Sequence, residues 1–171
     1  MEMGLDRATG KLALVRFYHY TCRHSVEAIV ADKGTLRPNP NAGWQEKVRQ
    51  LTGERAYTFP VVWVTDVDVR TRSDAVLTGL SQPGDNITKC LRVEFRFIVP
   101  NVGLVPWREW SKEAPEPGYR ALLESAGDPG RWWVSGTPIR GCRLDQAYAC
   151  GWAGPGHPDR TYERVAPGPP T

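Results

Sequence analysis

Apolar and polar side chains alternate through KLALVRFYHYT at 11–21, with Ala13, Val15, Phe17 and His19 on one face and Leu14, Arg16, Tyr18 and Tyr20 on the other. That period of two predicts a strand that ends on His19, on its apolar face. SVEAIVADKG follows, with Ser25 as an N-cap candidate, apolar residues at 26, 29 and 30, and Gly34 where a helix would stop, so a short helix is predicted. A second short helix is expected over 44–53, from Trp44, Val48, Leu51 and Gly53. YTFPVVWVTDVDV at 57–69 is rich in β-branched and aromatic residues and reads as a strand, with Val61, Trp63 and Thr65 opposite Val62, Val64 and Asp66. Little periodicity is present in 70–88, which reads as a long loop.

Alternation returns at 88–100, where Leu91, Val93, Phe95 and Phe97 oppose Cys90, Arg92, Glu94 and Arg96. Three charges on one face imply solvent or a polar cleft. NVGLVPWREW continues as a bent extension, 117–127 reads as a short helix, and RWWVSGTPI supplies a late strand. From Gly151 onward nine of 21 residues are Gly or Pro, which predicts a tail at 151–171 behind a single domain at 1–150. Strands and short helices without strict βαβ alternation predict an α+β fold with a largely antiparallel or mixed sheet.

Composition changes this picture little. Of 171 residues, 40% are hydrophobic and 24% charged, close to the averages of soluble domains, while 17 Gly and 15 Pro favour turns over long helices. The net charge of +3 is spread along the chain, with no basic block long enough to track a phosphate backbone by itself. The first residues hold no apolar signal region, and no run approaches the ~20 apolar residues of a membrane span. A cytoplasmic protein with reduced, mostly buried thiols at Cys22, Cys90, Cys142 and Cys150 is the expectation.

Several chemistries lack their residues. Cys22-x-His24 and Cys142-x7-Cys150-x6-His157 contain zinc-type ligands, but no paired C-x2–4-C spacing, so no metal is expected. Neither a G-x-S-x-G elbow nor a glycine-rich phosphate loop is present. Cys22 follows His19 by three residues, which in a strand would put the two side chains on opposite faces, a poor nucleophile–base pair. His19 remains, together with the polar groups on the other strands. By itself a histidine between Tyr18 and Tyr20 is more often a structural residue, hydrogen-bonded at the rim of a core.

Its context resembles a known family. HYT, then a helix with I-V-x-x-x-G-x-L-x-P, is similar to the opening of ADP-ribosyltransferase-like domains, most of all the DNA-targeting ADP-ribosyltransferase toxins and short phage and actinobacterial proteins beginning "HYTC". FPVVWVTD offers Trp63 and Thr65 where that family has an aromatic strand position, although tyrosine is common there. LRVEFRFIVP offers Glu94 where it has a late glutamate followed by V-P. The resemblance implies two small mixed or antiparallel sheets forming a cleft for NAD, which is a substrate.

In that setting His19 would hold a ribose hydroxyl with Tyr20 and Thr21 beside it, Trp63 would pack on nicotinamide with Thr65 beside it, and Glu94 would be catalytic. Arg92 and Arg96 would pair with the pyrophosphate, because guanidinium binds phosphate in a bidentate manner. Transfer of ADP-ribose to a protein or nucleic-acid acceptor is the implied activity, with a phage or bacterial effector acting in a host cytoplasm as its setting. Glu109 and Gln146 are the substitutes should Glu94 not serve.

Each site residue also has a plain structural reading. Trp63 suits a core, and Glu94 suits a surface ladder with Arg92 and Arg96. The contrasting function is an inactive domain of the same fold that binds a host protein through exposed tryptophans. The acceptor and the oligomeric state are not encoded in any motif of the chain.

Overall fold

A computed structural model describes residues 3–5, 12–38, 60–70, 74, 77–78, 94–113, 120–121, 124–125, 127–150 and 162–165. The expected helix at 44–53, most of the 70–88 loop, Arg92 and Cys90 lie outside the described residues. The fold is α+β and antiparallel throughout. Strands β1 (Met3–Leu5) and β2 (Leu12–Leu14) form a two-stranded ribbon. The main sheet contains β3 (Phe17–Thr21), β4 (Val62–Thr65), β5 (Phe95–Val99), β6 (Val105–Pro106), β7 (Trp132–Ser135), β8 (Arg143–Cys150) and β9 (Tyr162–Val165). Its order is β6-β7-β4-β3-β5-β8-β9.

The pairing of this sheet is uneven in a way that matters for the site. β3 and β5 pair over five residues and β4 and β7 over four, yet β3 and β4, at the centre, share only Tyr18↔Thr65. The expected two small sheets are therefore one sheet whose halves meet through a single residue pair. Beyond Tyr18 the two strands no longer pair, a split in the hydrogen-bond ladder at the C-terminal end of β3.

One face of the sheet is apolar. Phe17, Val62, Val64, Phe97 and Val99 pack there under Val26 of α1 (Arg23–Ala31), with Leu36, Ile139 and Cys142 completing the core. Helix α1 starts at Arg23 with Cys22 as N-cap, three residues before the expected cap Ser25, since Cys22 carries the extended backbone and its carbonyl accepts from the Ser25 and Val26 amides. Its end is a Schellman closure: Gly34 N–H donates to Ile29 and Lys33 N–H to Val30. Both residues are left-handed, Lys33 at φ 52° and Gly34 at φ 72°.

The opposite face is mixed. Tyr18, Tyr20, Val67 and Val69 form a second cluster there, and α2 (Trp107–Trp110) sets indoles against Trp63. Two strands of this sheet were not read from the sequence: β8, for which no element was expected, and β9, which lies inside the segment expected to be a tail, where YERV pairs with β8 over four residues despite the flanking glycines and prolines. The strand expected over 11–21 is divided into β2 and β3 at Val15 and Arg16.

Candidate functional site

His19 lies at the split. Register pairs it with Phe97 on β5, so the pleat puts it on the apolar face, partly buried as the alternation predicted. On its other side its Nδ1 lies 2.8 Å from the Trp63 carbonyl of β4. A carbonyl only accepts, so Nδ1 carries the proton and Nε2 is left as an acceptor. The imidazole thus gives Trp63 the donor that a continuing β3/β4 ladder would have drawn from the backbone. Burial pushes the His19 pKa below the ordinary 6.5, with the Trp63 hydrogen bond opposing in part, so the ring is neutral at physiological pH.

Trp63 belongs to the other face, as its register with Val134 requires. It is half-buried, its ring centroid 4.9 Å from Trp107 and 6.1 Å from Trp132. Glu94 immediately precedes β5, and its amide donates to the Thr21 carbonyl at 3.1 Å, which holds it at the end of the His19 strand. The Glu94 side chain is only 6% exposed, so it is not part of a solvated ladder. Trp63 and Glu94 therefore flank the same end of β3, on the strands at either side.

The remaining expected contacts are used by the fold. The Tyr20 hydroxyl donates to Val67 O at 2.8 Å and accepts from Val69 N–H at 2.9 Å, which straps the chain after β4 across β3. The Thr65 hydroxyl donates to Arg131 O at 2.8 Å and accepts from Val67 N–H at 3.2 Å. Thr21 is buried at the end of β3. Glu109 is exposed on α2, while Gln146 is half-buried opposite Arg96.

Arg96 departs most from expectation. It is buried, ion-paired to Asp68, bidentate to Asp145 at 3.0 and 2.7 Å, and lies 4.6 Å over the Tyr18 ring. Two carboxylates already satisfy it, so it is not offered to a pyrophosphate. The β5/β8 register explains the geometry: it jumps from Arg96↔Gln146 to Phe97↔Leu144, leaving Asp145 as an extra residue. A bulge of this kind re-aims a side chain, here under the guanidinium. Burial, then the Asp68 charge, raises the Tyr18 pKa against the opposing Arg96.

Cys22 and Cys142 are buried thiols outside any disulfide, and burial pushes the Cys142 thiol up to about 11, too high for a nucleophile at neutral pH. Among the described residues no helix is long and apolar enough to cross a membrane, and no three His, Cys, Asp or Glu side chains are grouped to hold a metal. No protein-family model, no curated protein and no solved structure matches the chain.

Proposed function

We propose that the split between β3 and β4 binds NAD and that the protein transfers ADP-ribose to a macromolecular acceptor. The observation that supports the reading is that His19, Trp63 and Glu94 lie on or beside three adjacent strands near the end where β3 and β4 cease to pair, His19 on the apolar face and Trp63 on the opposite one. Where the β3/β4 ladder stops, the Trp63 carbonyl is held by the His19 side chain and not by backbone. His19 suits a ribose hydroxyl, because its neutral Nε2 accepts while Nδ1 is occupied. The resemblance to ADP-ribosyltransferase-like domains and their two-sheet cleft belongs to this proposal.

In the proposed reaction the bond between nicotinamide N1 and the ribose breaks, its electron pair goes to the ring nitrogen, and nicotinamide leaves neutral. Positive charge then develops on the ribose. A carboxylate beside it stabilises that charge, as in glycoside hydrolysis, and Glu94 is the carboxylate at the strand end. The acceptor nucleophile forms the new bond to the ribose carbon and gives up its proton. The competing reading is a binding module built on exposed tryptophans; among the described residues Trp107 and Trp132 are buried, and Trp63, Trp110 and Trp133 are half-buried.

His19→Asn tests the site. Asparagine Nδ2 occupies the place of Nδ1 and keeps the donor to Trp63 O, but nothing replaces Nε2. Calorimetric titration should give NAD binding by wild type and about tenfold or weaker binding by the variant, the loss of one ligand hydrogen bond of about 1–1.5 kcal/mol. No NAD binding by wild type removes the reading. The fold should respond to His19 as well. A histidine whose folded pKa is depressed binds fewer protons than the unfolded chain, so its stability is complete above pH 6.5 and falls on acidification below it. Melting curves should show that loss in wild type and lack it in His19→Asn.

Glu94→Gln is the second test. Turnover of NAD should drop by roughly 10²–10³ with NAD affinity little changed, the scale of removing one charge-stabilising group. Normal turnover by this variant would take the catalytic role from Glu94.

A further inference from the structure

The bridge Leu36↔Ile139 lays the segment after α1 against the segment before β8, and Cys142 N–H donates to Gly34 O at 2.9 Å. Lys33 and Arg37 are thereby set beside Arg140 and Arg143, which lie far along the chain from them, and all four are exposed. Strand register adds a fifth cation. Arg143 pairs with Ile98, Ile98 with Tyr18, and Phe17 with Val99, so the exposed Arg16 lies at the same end of the sheet. In the segments that meet here, 12–22, 32–38, 95–106 and 132–144, the only carboxylate is Asp32, which Arg37 holds at 2.8 Å. Asp145, two residues beyond Arg143, is turned to Arg96. Five exposed cations against one carboxylate give this end of the molecule a charge of +4, more than the +3 of the whole chain.

An apolar tip stands at the same end. β5 finishes at Val99, and Pro100-Asn101-Val102-Gly103 turns the chain toward β6, with Val102 N–H on Pro100 O at 2.9 Å and Gly103 left-handed at φ 67°. The turn presents Val102, 71% exposed and the most exposed large hydrophobic side chain among the described residues. The rings that β3 brings to this end, Phe17 and Tyr18, are buried, so they offer no stacking face of the kind that single-stranded nucleic acid uses. A basic surface with an exposed aliphatic side chain matches instead the boundary of an anionic bilayer, which attracts the cations and takes up the apolar tip. We infer that the end of the sheet formed by Arg16, Lys33, Arg37, Arg140, Arg143 and Val102 docks the protein on an anionic lipid surface. The inference is independent of the proposed NAD site, which lies at the C-terminal end of β3, where Glu94 N–H reaches Thr21 O, while Arg16 precedes the opposite end. Docking by this surface leaves the candidate site on the side away from the bilayer.

Vesicle sedimentation with the full chain tests the docking. Vesicles of equimolar phosphatidylserine and phosphatidylcholine should bind the protein at about 0.1 M salt and release it at about 1 M, as the Debye length falls from about 10 Å to about 3 Å. Vesicles of phosphatidylcholine alone should not bind it. Each cation near such a surface contributes about 1 kcal/mol, about fivefold in affinity, so Arg140→Gln combined with Arg143→Gln should weaken binding roughly 25-fold. Val102→Ser should weaken binding without changing its salt dependence. Arg108→Gln removes an exposed cation from α2 instead and should cost less than about twofold. All four substituted residues are exposed, so every variant should melt with wild type. No binding to the anionic vesicles at low salt overturns the inference, as does binding that survives the arginine pair or that Arg108→Gln weakens as much as either arginine of the pair. Tighter binding to a short DNA duplex than to the vesicles, lost with the same arginines, assigns the surface to nucleic acid and overturns it too.

Discussion

Gly34→Ala should lower the melting temperature by roughly 6–20 °C. A Cβ at Gly34 would lie 1.9 Å from the Cys142 carbonyl oxygen and 3.0 Å from its carbon, both backbone atoms that no side-chain rotation can move. The residue is also left-handed at φ 72°, which costs an L-residue about 1–2 kcal/mol. To admit the methyl group the chain must part where Cys142 N–H donates to Gly34 O, and where Leu36 and Ile139 exchange both amide hydrogen bonds at 2.9 Å. Each such bond is worth about 1 kcal/mol, so the total loss is about 3–5 kcal/mol. Lys33→Gly is the control. Lys33 is left-handed too, at φ 52°, and a glycine there relieves strain, so urea denaturation should give an unchanged or slightly higher midpoint. A Gly34→Ala variant that melts like wild type would mean that the 34–36 and 139–142 segments do not meet as described.

The same glycine illustrates what a sequence can convey. Gly34 was legible as a helix stop because local rules suffice: a 3.6-residue period, then a residue free to adopt positive φ. Its second role, admitting the backbone of Cys142, depends on a segment more than a hundred residues away, which no local pattern records. The strands around the split follow the same division. Phe17 to Thr21, Val62 to Thr65, and Phe95 to Val99 alternate cleanly because each buries one apolar face under α1, and periodicity found them.

β8 escaped because its bulge at Asp145 puts the alternation out of phase, and β9 because its four residues are surrounded by Gly and Pro. In the candidate site, His19 and Trp63 were legible by residue type and strand position. Their hydrogen bond, and the loss of pairing that accompanies it, are properties of how two strands diverge. Arg96 was misread for a related reason. Its charge invited a phosphate, while the carboxylates that claim it come from Asp68 beyond β4 and Asp145 on β8.

Arg96→Met should cost about 3–5 kcal/mol, the range for removing one partner of a buried ion pair. The guanidinium side chain is 7% exposed, and it is the cation between Asp68 and Asp145, whose side chains are 27% and 20% exposed. Methionine fills much of the volume and still covers the Tyr18 ring, but it takes the bidentate partner from the partly buried Asp145 and leaves Asp68 with Arg70 alone. The loss therefore lies mainly with the carboxylates and not with missing packing. Removing their charge as well distinguishes the two: Arg96→Met combined with Asp68→Asn and Asp145→Asn should recover most of the stability lost by the single variant, measured as the urea midpoint at constant slope. If the triple variant is no more stable than Arg96→Met, the triad is valued for its hydrogen-bond geometry rather than for charge balance. Because Arg96 ties β5 to β8 and to the chain beyond β4, its loss should also loosen the strand end that carries Glu94. Amide exchange at Glu94 and Phe95 should then quicken in Arg96→Met, more than at Val64 on β4.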